Sequence, residues 1–331
     1  MSQQRSGIPW SIAVPPEVYC EYCGVKMYDY HTDPQVMMDI QLEGPRLLHE
    51  KYGLPLRHRV APDFTAYAEG TALGVELEFQ DYHAPSPKGH PLETREQMAA
   101  LRVPEDYRNA GLVPRMIEFY EYMKAHAPED VTVGFGLGTE GVFTTAVVLR
   151  GNDLFLDIYD EPELAHQFLQ TVTDNSIRGR ELAFEITDTQ PGDTVGYADD
   201  YGGMLPPEQY IEFVLKYLVQ IAEHFGATRR TIHSELLRRE HLKILQDHGW
   251  EYIDVGTDPY VTVKDCVEVL HIDWLVQFKT SEEMLLATPE QVQNTYRQMV
   301  ADGAQRMLVE LCPGTSEENI FAFIEVAKEF E

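Results

Sequence analysis

Basic residues are what this sequence is short of. Lys plus Arg number 26 against 55 Asp plus Glu in 331 residues, a formal net charge of −29. Nucleic acid and anionic membrane surfaces are bound through basic patches, so neither is an expected partner. Cysteine is scarce too: four thiols cannot frame a disulfide scaffold, and a cytoplasmic protein with reduced cysteines is expected. No apolar run approaches the roughly 18 residues that cross a bilayer. Residues 1–20 (MSQQRSGIPWSIAVPPEVYC) lack the basic start and apolar stretch of a secretory leader. What is present is 44% hydrophobic and 24% charged residues, a balance whose buried surface offsets the entropy of ordering and excludes disorder as the main state. The length allows two domains of roughly 150 residues or one α/β barrel of about 250 or more.

Hydrophobic periodicity favours the barrel. Helical spacing runs over 34–51, 106–127, 142–150, 161–186, 207–225, 238–248, 262–270, 289–302 and 317–330. Extended segments stand at 58–67 and 73–80 (within ALGVELEFQ, 72–80), with shorter ones at 131–135, 193–198, 228–233, 251–255, 272–278 and 307–311. Residues 81–98, rich in Pro, His and Gly, read as a long exposed loop. Thr315 with Glu318 forms a capping box for the last helix, with Thr315 as N-cap. Strand–helix units with short connections imply parallel strands, because parallel pairing needs a crossover. The strand count fits a closed (β/α)8 barrel over residues 58–331, with residues 1–57 as an N-terminal extension packed on it.

In such a barrel chemistry sits at the C-terminal ends of the strands. Those exits carry Asp81 and His83, then Thr139 and Glu140, then Asp199, Asp200 and Tyr201. His233 and Glu235 follow, then Asp254 and Asp258, Lys279 and Cys312. His233 and Glu235, two residues apart, can enter one pocket that Cys312 reaches from the last strand. Imidazole, carboxylate and thiolate are all zinc ligands, and three of them with an open position describe a catalytic zinc. The other reading is an ordinary polar histidine and a buried thiol. Asp199 and Asp200 can act as an acid/base or substrate-binding pair, since neighbouring carboxylates raise one another's pKa. Equally, one of them can begin a helix or bind loop amides.

Three further motifs carry less. Cys20-Glu21-Tyr22-Cys23 has no second pair to complete a zinc site and is read as structural. Gly136–Gly141 fits GxGxxG, but no second strand with a closing acid follows, so these glycines serve a tight turn. Tyr22, Tyr28, Tyr30, Phe64 and Tyr67 are an aromatic-rich stretch suited to core packing or to an aryl pocket.

Several segments in order resemble the uroporphyrinogen decarboxylase superfamily, which includes corrinoid-dependent methyltransferases. ADDYGGMLPPEQYIEFVLKYL (198–218) resembles its Asp-containing loop and long helix, and TIHSE (231–235) with ILQDHGWEYIDV (244–255) its His-bearing strand and next unit. ATPEQVQ (287–293) and LCPGTSEENIFAFIEVAKEF (311–330) are similar to its closing segments. The resemblance is clear over roughly 130–331 and implies a (β/α)8 barrel. Its decarboxylases have an arginine-rich N-terminal motif for substrate carboxylates, whereas only Arg5 precedes Arg46 here. Its thiol methyltransferases bind zinc through H-x-C and a distant Cys, which stand here as His233-Ser234-Glu235 and Cys312. A Glu in place of that Cys makes the site harder and less suited to a thiolate.

The resemblance therefore implies an O-demethylase type of methyltransferase, moving a methyl group between a phenyl methyl ether and the cobalt of a corrinoid. The corrinoid, a cobalamin, is expected on a separate corrinoid-binding protein, because this chain shows no DxHxxG motif. His233 and Glu235 are expected at the ether oxygen, with Asp199 also catalytic and zinc bound by His233, Glu235 and Cys312 left open. Asp200, Tyr201, Asp81, His83 and Glu140 are expected to bind the substrate. The competing readings are a methylamine or methanol methyltransferase, a decarboxylase-like lyase, and a barrel that binds without catalysis.

Overall fold

The computed structural model describes residues 7–138 and 140–331; Thr139 and Arg5 lie outside the described residues. Among the described residues, eight parallel strands form its wall. They are β1 Trp10–Ala13, β2 Arg59–Val60, β3 Thr132–Val133, β4 Thr194–Ala198, β5 Arg229–His233, β6 Tyr252–Asp254, β7 Asp273–Leu275 and β8 Met307–Glu310. Strands β4 to β7 pair in chain order, β2 pairs with β3, and β8 returns to β1. Two links join these groups. Glu140, beyond β3, bridges Ala198, and the Phe278 amide donates to the Leu308 carbonyl (2.9 Å).

This is a (β/α)8 barrel with one unzipped seam. Among the described residues no backbone hydrogen bond joins β1 to β2. The helix Pro34–Tyr52 covers that gap, and its Gln41 amide exchanges hydrogen bonds with the Ala61 carbonyl (2.8 Å) and amide (2.9 Å).

Alternation along the strands sorts the side chains. Val195, Tyr197, Ile232, Ile253 and Trp274 are buried, while Gly196, Ala198, Thr231, His233, Tyr252 and Asp254 line a small lumen cavity. The helices turn apolar stripes toward the wall. Pro162–Thr187, for example, buries Ala165, Phe168, Leu169 and Val172 at helical spacing.

Four expectations change. Residues 1–57 do not stand outside the barrel, because WSIA (10–13) is its first strand; four residues are too few to show a period. The apolar stretch at 73–80 supplies no wall strand. Ala66–Leu73 is a buried 3-10 helix ended by Gly74 at φ 103°, and Leu77–Glu78 pairs antiparallel with Ser86–Pro87. A short apolar run can be buried by a helical turn as readily as by a sheet. The last helix is capped by Ser316, which accepts from the Asn319 amide (3.2 Å), while the Thr315 hydroxyl donates to the Cys312 carbonyl (2.7 Å). The expected loop at 81–98 also holds the start of a short helix, Arg95–Ala100, with a Thr94–Gln97 capping box. Among the described residues no helix is long and apolar enough to cross a membrane.

Gly44 lets the helix Pro34–Tyr52 lie against Tyr19 of the helix Pro16–Cys23, since a β-carbon there would run into the Tyr19 ring. Gly44→Val is therefore expected to lower stability by about 1–3 kcal/mol through overpacking, read from urea unfolding midpoints.

Candidate active site

The site begins with a register. On neighbouring parallel strands Ala198, His233 and Asp254 stand side by side, so all three face the lumen at the C-terminal end. The small Ala198 leaves room for the imidazole. His233 Nδ1 lies 3.2 Å from Asp254 Oδ2, and Nε2 lies 3.8 Å from Asp200 Oδ1. Asp254 is fixed in turn by the Gln277 side-chain amide (2.9 and 3.2 Å) and the Gly256 backbone amide (2.9 Å). Burial disfavours the imidazolium. The hydrogen bond and charge of Asp254, with Asp200 and Glu235 behind, outweigh it and push His233 up to about 9. His233 is thus a cation near neutral pH, with both ring nitrogens donating.

Glu235 follows on a constrained turn. Its backbone amide donates to Asp200 (2.9 Å), and its carboxylate accepts from the Thr257 amide (2.7 Å) and hydroxyl (2.9 Å). Leu236 next to it has φ 59°, a left-handed conformation that costs a branched residue about 1–2 kcal/mol. Gly203 permits this turn, because a β-carbon there would press into the Glu235 and Leu236 backbone. Gly256, at φ 56°, is needed for the same reason: a side chain would collide with the Glu235 carboxylate and the His233 ring.

Next along the same register, beside Ala198, stands Glu140, only 8% exposed, whose Oε2 has no hydrogen-bond partner among the described residues. Burial, then Asp200, Asp199 and Glu69, push its pKa up to about 8 against the pull of His233, so it is mainly a neutral acid at pH 7. Tyr201 stands at the rim, 37% exposed. Burial, then the charges of Glu140, Tyr201 and Asp200, raise the Tyr67 phenol. Glu310 completes the ring from β8; burial and then Glu17, Asp254 and Glu235 raise its pKa, while His233 opposes.

Other expected site residues lie elsewhere. Asp199 is fully buried, accepting from the Phe143 amide (3.0 Å), the Thr144 hydroxyl (3.0 Å) and the Gly202 amide (3.3 Å). It pins the helix Val142–Arg150 to the β4 loop. Asp81 is ion-paired to Lys26 (2.7 Å) and His83 is exposed in the same loop; neither joins the His233 cluster.

Cys312 sits in its own turn, with Sγ 3.7 Å from the Thr315 hydroxyl. Among the described residues no three His, Cys, Asp or Glu side chains gather as metal ligands. The zinc set His233, Glu235 and Cys312 is thus not assembled: the first is committed to Asp254 and the second to Thr257. Cys20 and Cys23 are free thiols, both raised chiefly by burial, Cys20 to about 12. Gly141 directly precedes the helix Val142–Arg150, with another helix, Asp153–Asp160, after it. Sequence reasoning noted Asp254 only as a strand exit and missed Gln277, Thr257 and Glu310. The shared end position of His233 and Asp254 on successive strands was the available signal.

Residues 8–330 match the family model for uroporphyrinogen decarboxylase (URO-D). The chain belongs to this family. A curated relative is the uroporphyrinogen decarboxylase of Flavobacterium johnsoniae, 29% identical over 206 residues. That match covers 59% of this chain and spans only 55% of the length of the relative. Among solved structures, a methyltransferase from Methanosarcina mazei superposes with a TM-score of 0.74 at 19% identity, over 99% of this chain and 95% of that one. At this identity the likeness speaks for the fold, and it agrees with a (β/α)8 barrel across the family member described here.

The His233–Asp254 pair has a direct readout. By NMR, His233 is expected to titrate near 9, and Asp254→Asn to lower that value by at least one unit. The stability the pair contributes is complete below the unfolded histidine value of about 6.5 and lost as pH rises through about 9. Thermal unfolding of the wild type is thus expected to weaken over that window more than that of Asp254→Asn.

Proposed function

We propose that this protein is a methyltransferase that moves a methyl group between a phenyl methyl ether and the cobalt of a corrinoid carried by a separate protein. The observation that carries the reading is the His233 imidazolium, held at the barrel mouth by Asp254 with Nε2 turned toward Asp200. An ether loses its methyl group as a cation equivalent and leaves a phenolate, which needs a proton or a positive partner. A methylammonium donor leaves a neutral amine and needs neither.

The corrinoid, when bound, supplies the reduced cobalt nucleophile that accepts the methyl group. The rim suits a partner bearing an apolar macrocycle, since Tyr82, Tyr201, Met204, Tyr260 and Leu286 are exposed on loops around the mouth. His233 Nε2–H donates to the ether oxygen. As the methyl–oxygen bond breaks, its electron pair stays on that oxygen, which takes the proton and leaves as the phenol. Asp254 keeps Nδ1–H engaged, so the ring does not turn and the neutral tautomer left behind is defined. Glu140, a neutral acid whose buried oxygen has no partner among the described residues, orients the aryl ether from two strands along the same wall. Glu235 acts by holding the Gly256–Thr257 turn under the imidazole. Zinc enters no step, because its expected ligands do not converge.

A decarboxylase-like lyase is the second reading, favoured by the 29% identity to a curated decarboxylase. Against it, a substrate bearing several carboxylates would meet Asp200, Glu235, Asp254 and Glu310 around one imidazolium.

The test is methyl transfer from guaiacol, methylamine or methanol to cob(I)alamin, followed by absorbance after metal analysis of the purified chain. Ether-dependent methylcobalamin is expected, falling as pH rises through about 9 when His233 loses its proton. His233→Gln is expected to lower the rate by about 10²–10⁴. Transfer from the amine alone, or decarboxylation of uroporphyrinogen, would replace the ether reading.

A further inference from the structure

A cavity of about 690 Å³ lies at the unzipped seam, behind the barrel wall and toward the entry ends of β1 and β2. Gly7–Pro9 and Gly53–Pro55, the segments leading into those strands, border it, and Pro45 and Leu48 of the helix Pro34–Tyr52 close its outer side. Trp10 reaches it from the outer face of β1, its ring edge-on to Phe323 (6.1 Å) and its indole N–H on Glu331 (2.8 Å). None of Asp200, His233, Glu235, Asp254 or Glu310 lines it, so it is separate from the mouth.

The edge of β1 decides what this cavity takes. In a parallel ladder a residue turns both its N–H and its C=O to one neighbouring strand, and the next residue turns both the other way. The Met307 amide donates to the Pro9 carbonyl and the Leu311 amide to the Ala13 carbonyl (2.9 Å each). Pro9, Ser11 and Ala13 therefore face β8, while Trp10 and Ile12 turn their backbone groups into the seam. There β1 has no partner strand among the described residues. The edge of β2 is treated differently. His58 and Val60 accept from the Thr132 and Gly134 amides of the β3 side, which leaves Arg59 and Ala61 facing the seam. The Gln41 side-chain amide then takes both backbone groups of Ala61 (2.9 and 2.8 Å), standing in for one peptide unit of a missing strand. Nothing does this for β1, and Pro55 across the cavity has no N–H to offer it. Backbone donors and acceptors facing apolar walls cost free energy until something pairs them.

We infer that this cavity is a docking site for an extended peptide segment of a partner protein, which adds a strand to the free edge of β1 and lays alternate aliphatic side chains against Trp10, Ile12, Leu48 and Leu54. Strand addition takes its affinity from main-chain hydrogen bonds and its selectivity from contacts to alternate side chains. The four residues of β1 offer a length of about 13 Å, at roughly 3.3 Å per residue. The inference is independent of the methyl-transfer reading.

The test is titration of the full chain with the peptide acetyl-Thr-Val-Thr-Val-Thr-amide, followed by calorimetry and tryptophan fluorescence. Of the three tryptophans, Trp250 and Trp274 are fully buried, so a change in emission reports Trp10. Saturable binding with such a change is expected. The same peptide methylated on every backbone nitrogen keeps its side chains and should bind at least about tenfold more weakly, as the loss of two or more hydrogen bonds requires. Ile12→Pro removes a seam-facing N–H and leaves the β1–β8 ladder whole, so it should weaken the unmethylated peptide by about tenfold. Ile12→Val keeps that N–H and should stay within about fivefold, the worth of one methylene. His233→Gln should bind as the wild type does. No saturable binding, equal affinity for the two peptides, or heat without a change in Trp10 emission would overturn the inference. These three readings use the wild type alone, so they decide even if Ile12→Pro fails to fold. Loss of binding in His233→Gln would also overturn it, by moving the peptide to the barrel mouth.

Discussion

One proton governs the mouth of this barrel. Strand register sets His233 beside Asp254, and the turns that follow bring Asp200 and Glu235 within electrostatic reach. Several carboxylates in a partly dry pocket repel one another unless a cation sits among them. The imidazolium is that cation, and it exists because these acids favour the charged ring more than burial disfavours it. The balance tips the other way at Glu140: its burial, with Asp200, Asp199 and Glu69 adding, outweighs the pull of His233, and it keeps its proton. Burial, more than any single neighbour, is what keeps Glu140 protonated in a pocket that also holds a cation.

The backbone around this centre is held by buried side chains that bond to it directly. Ser234 donates its hydroxyl to the Asp199 carbonyl, and the Asp199 carboxylate ties the start of the helix Val142–Arg150. Asp258 accepts from the Leu237, Tyr260 and Val261 amides (2.7, 2.6 and 2.9 Å) and closes the next loop. Between these clamps Leu236 keeps its left-handed backbone. Strain of this kind persists only where surrounding contacts over-determine it, and here it turns Glu235 back toward Thr257.

Much of this was legible before any coordinates. Strands at 193–198, 228–233 and 251–255 and the helices between them have clear periods, because each element buries one face against a single layer. The N-terminal third was harder to read. WSIA is too short for alternation, and ALGVELEF has strand-like composition, yet its first residues close a buried 3-10 helix. At the site, His233 and Glu235 stood out as residue types, but their roles did not. Spacing puts Glu235 two residues from His233; only the turn shows its carboxylate spent on Thr257. Asp199 and Asp200 are adjacent and chemically identical, and one faces a helix end while the other faces the imidazole. Neighbours on a loop diverge in direction, and no one-dimensional pattern records which way each points.

The substitution of Glu for Cys at the middle of the H-x-C pattern fits this electrostatic arrangement. A thiolate pair and an imidazole around a metal take their positive charge from the ion and need a neutral histidine ring. Here the middle residue accepts two hydrogen bonds from Thr257, and the ring donates toward Asp254 and Asp200. Both features belong to a site whose positive charge is a proton. A proton can be handed to a leaving oxygen, which a fixed ion can only polarise. A pocket organised this way suits a donor whose departing group becomes basic as the bond breaks, and that separates an ether from an ammonium more firmly than shape would. The cost is a pH limit on the upper side, since under the proposed reaction the group that neutralises the acids is the one consumed.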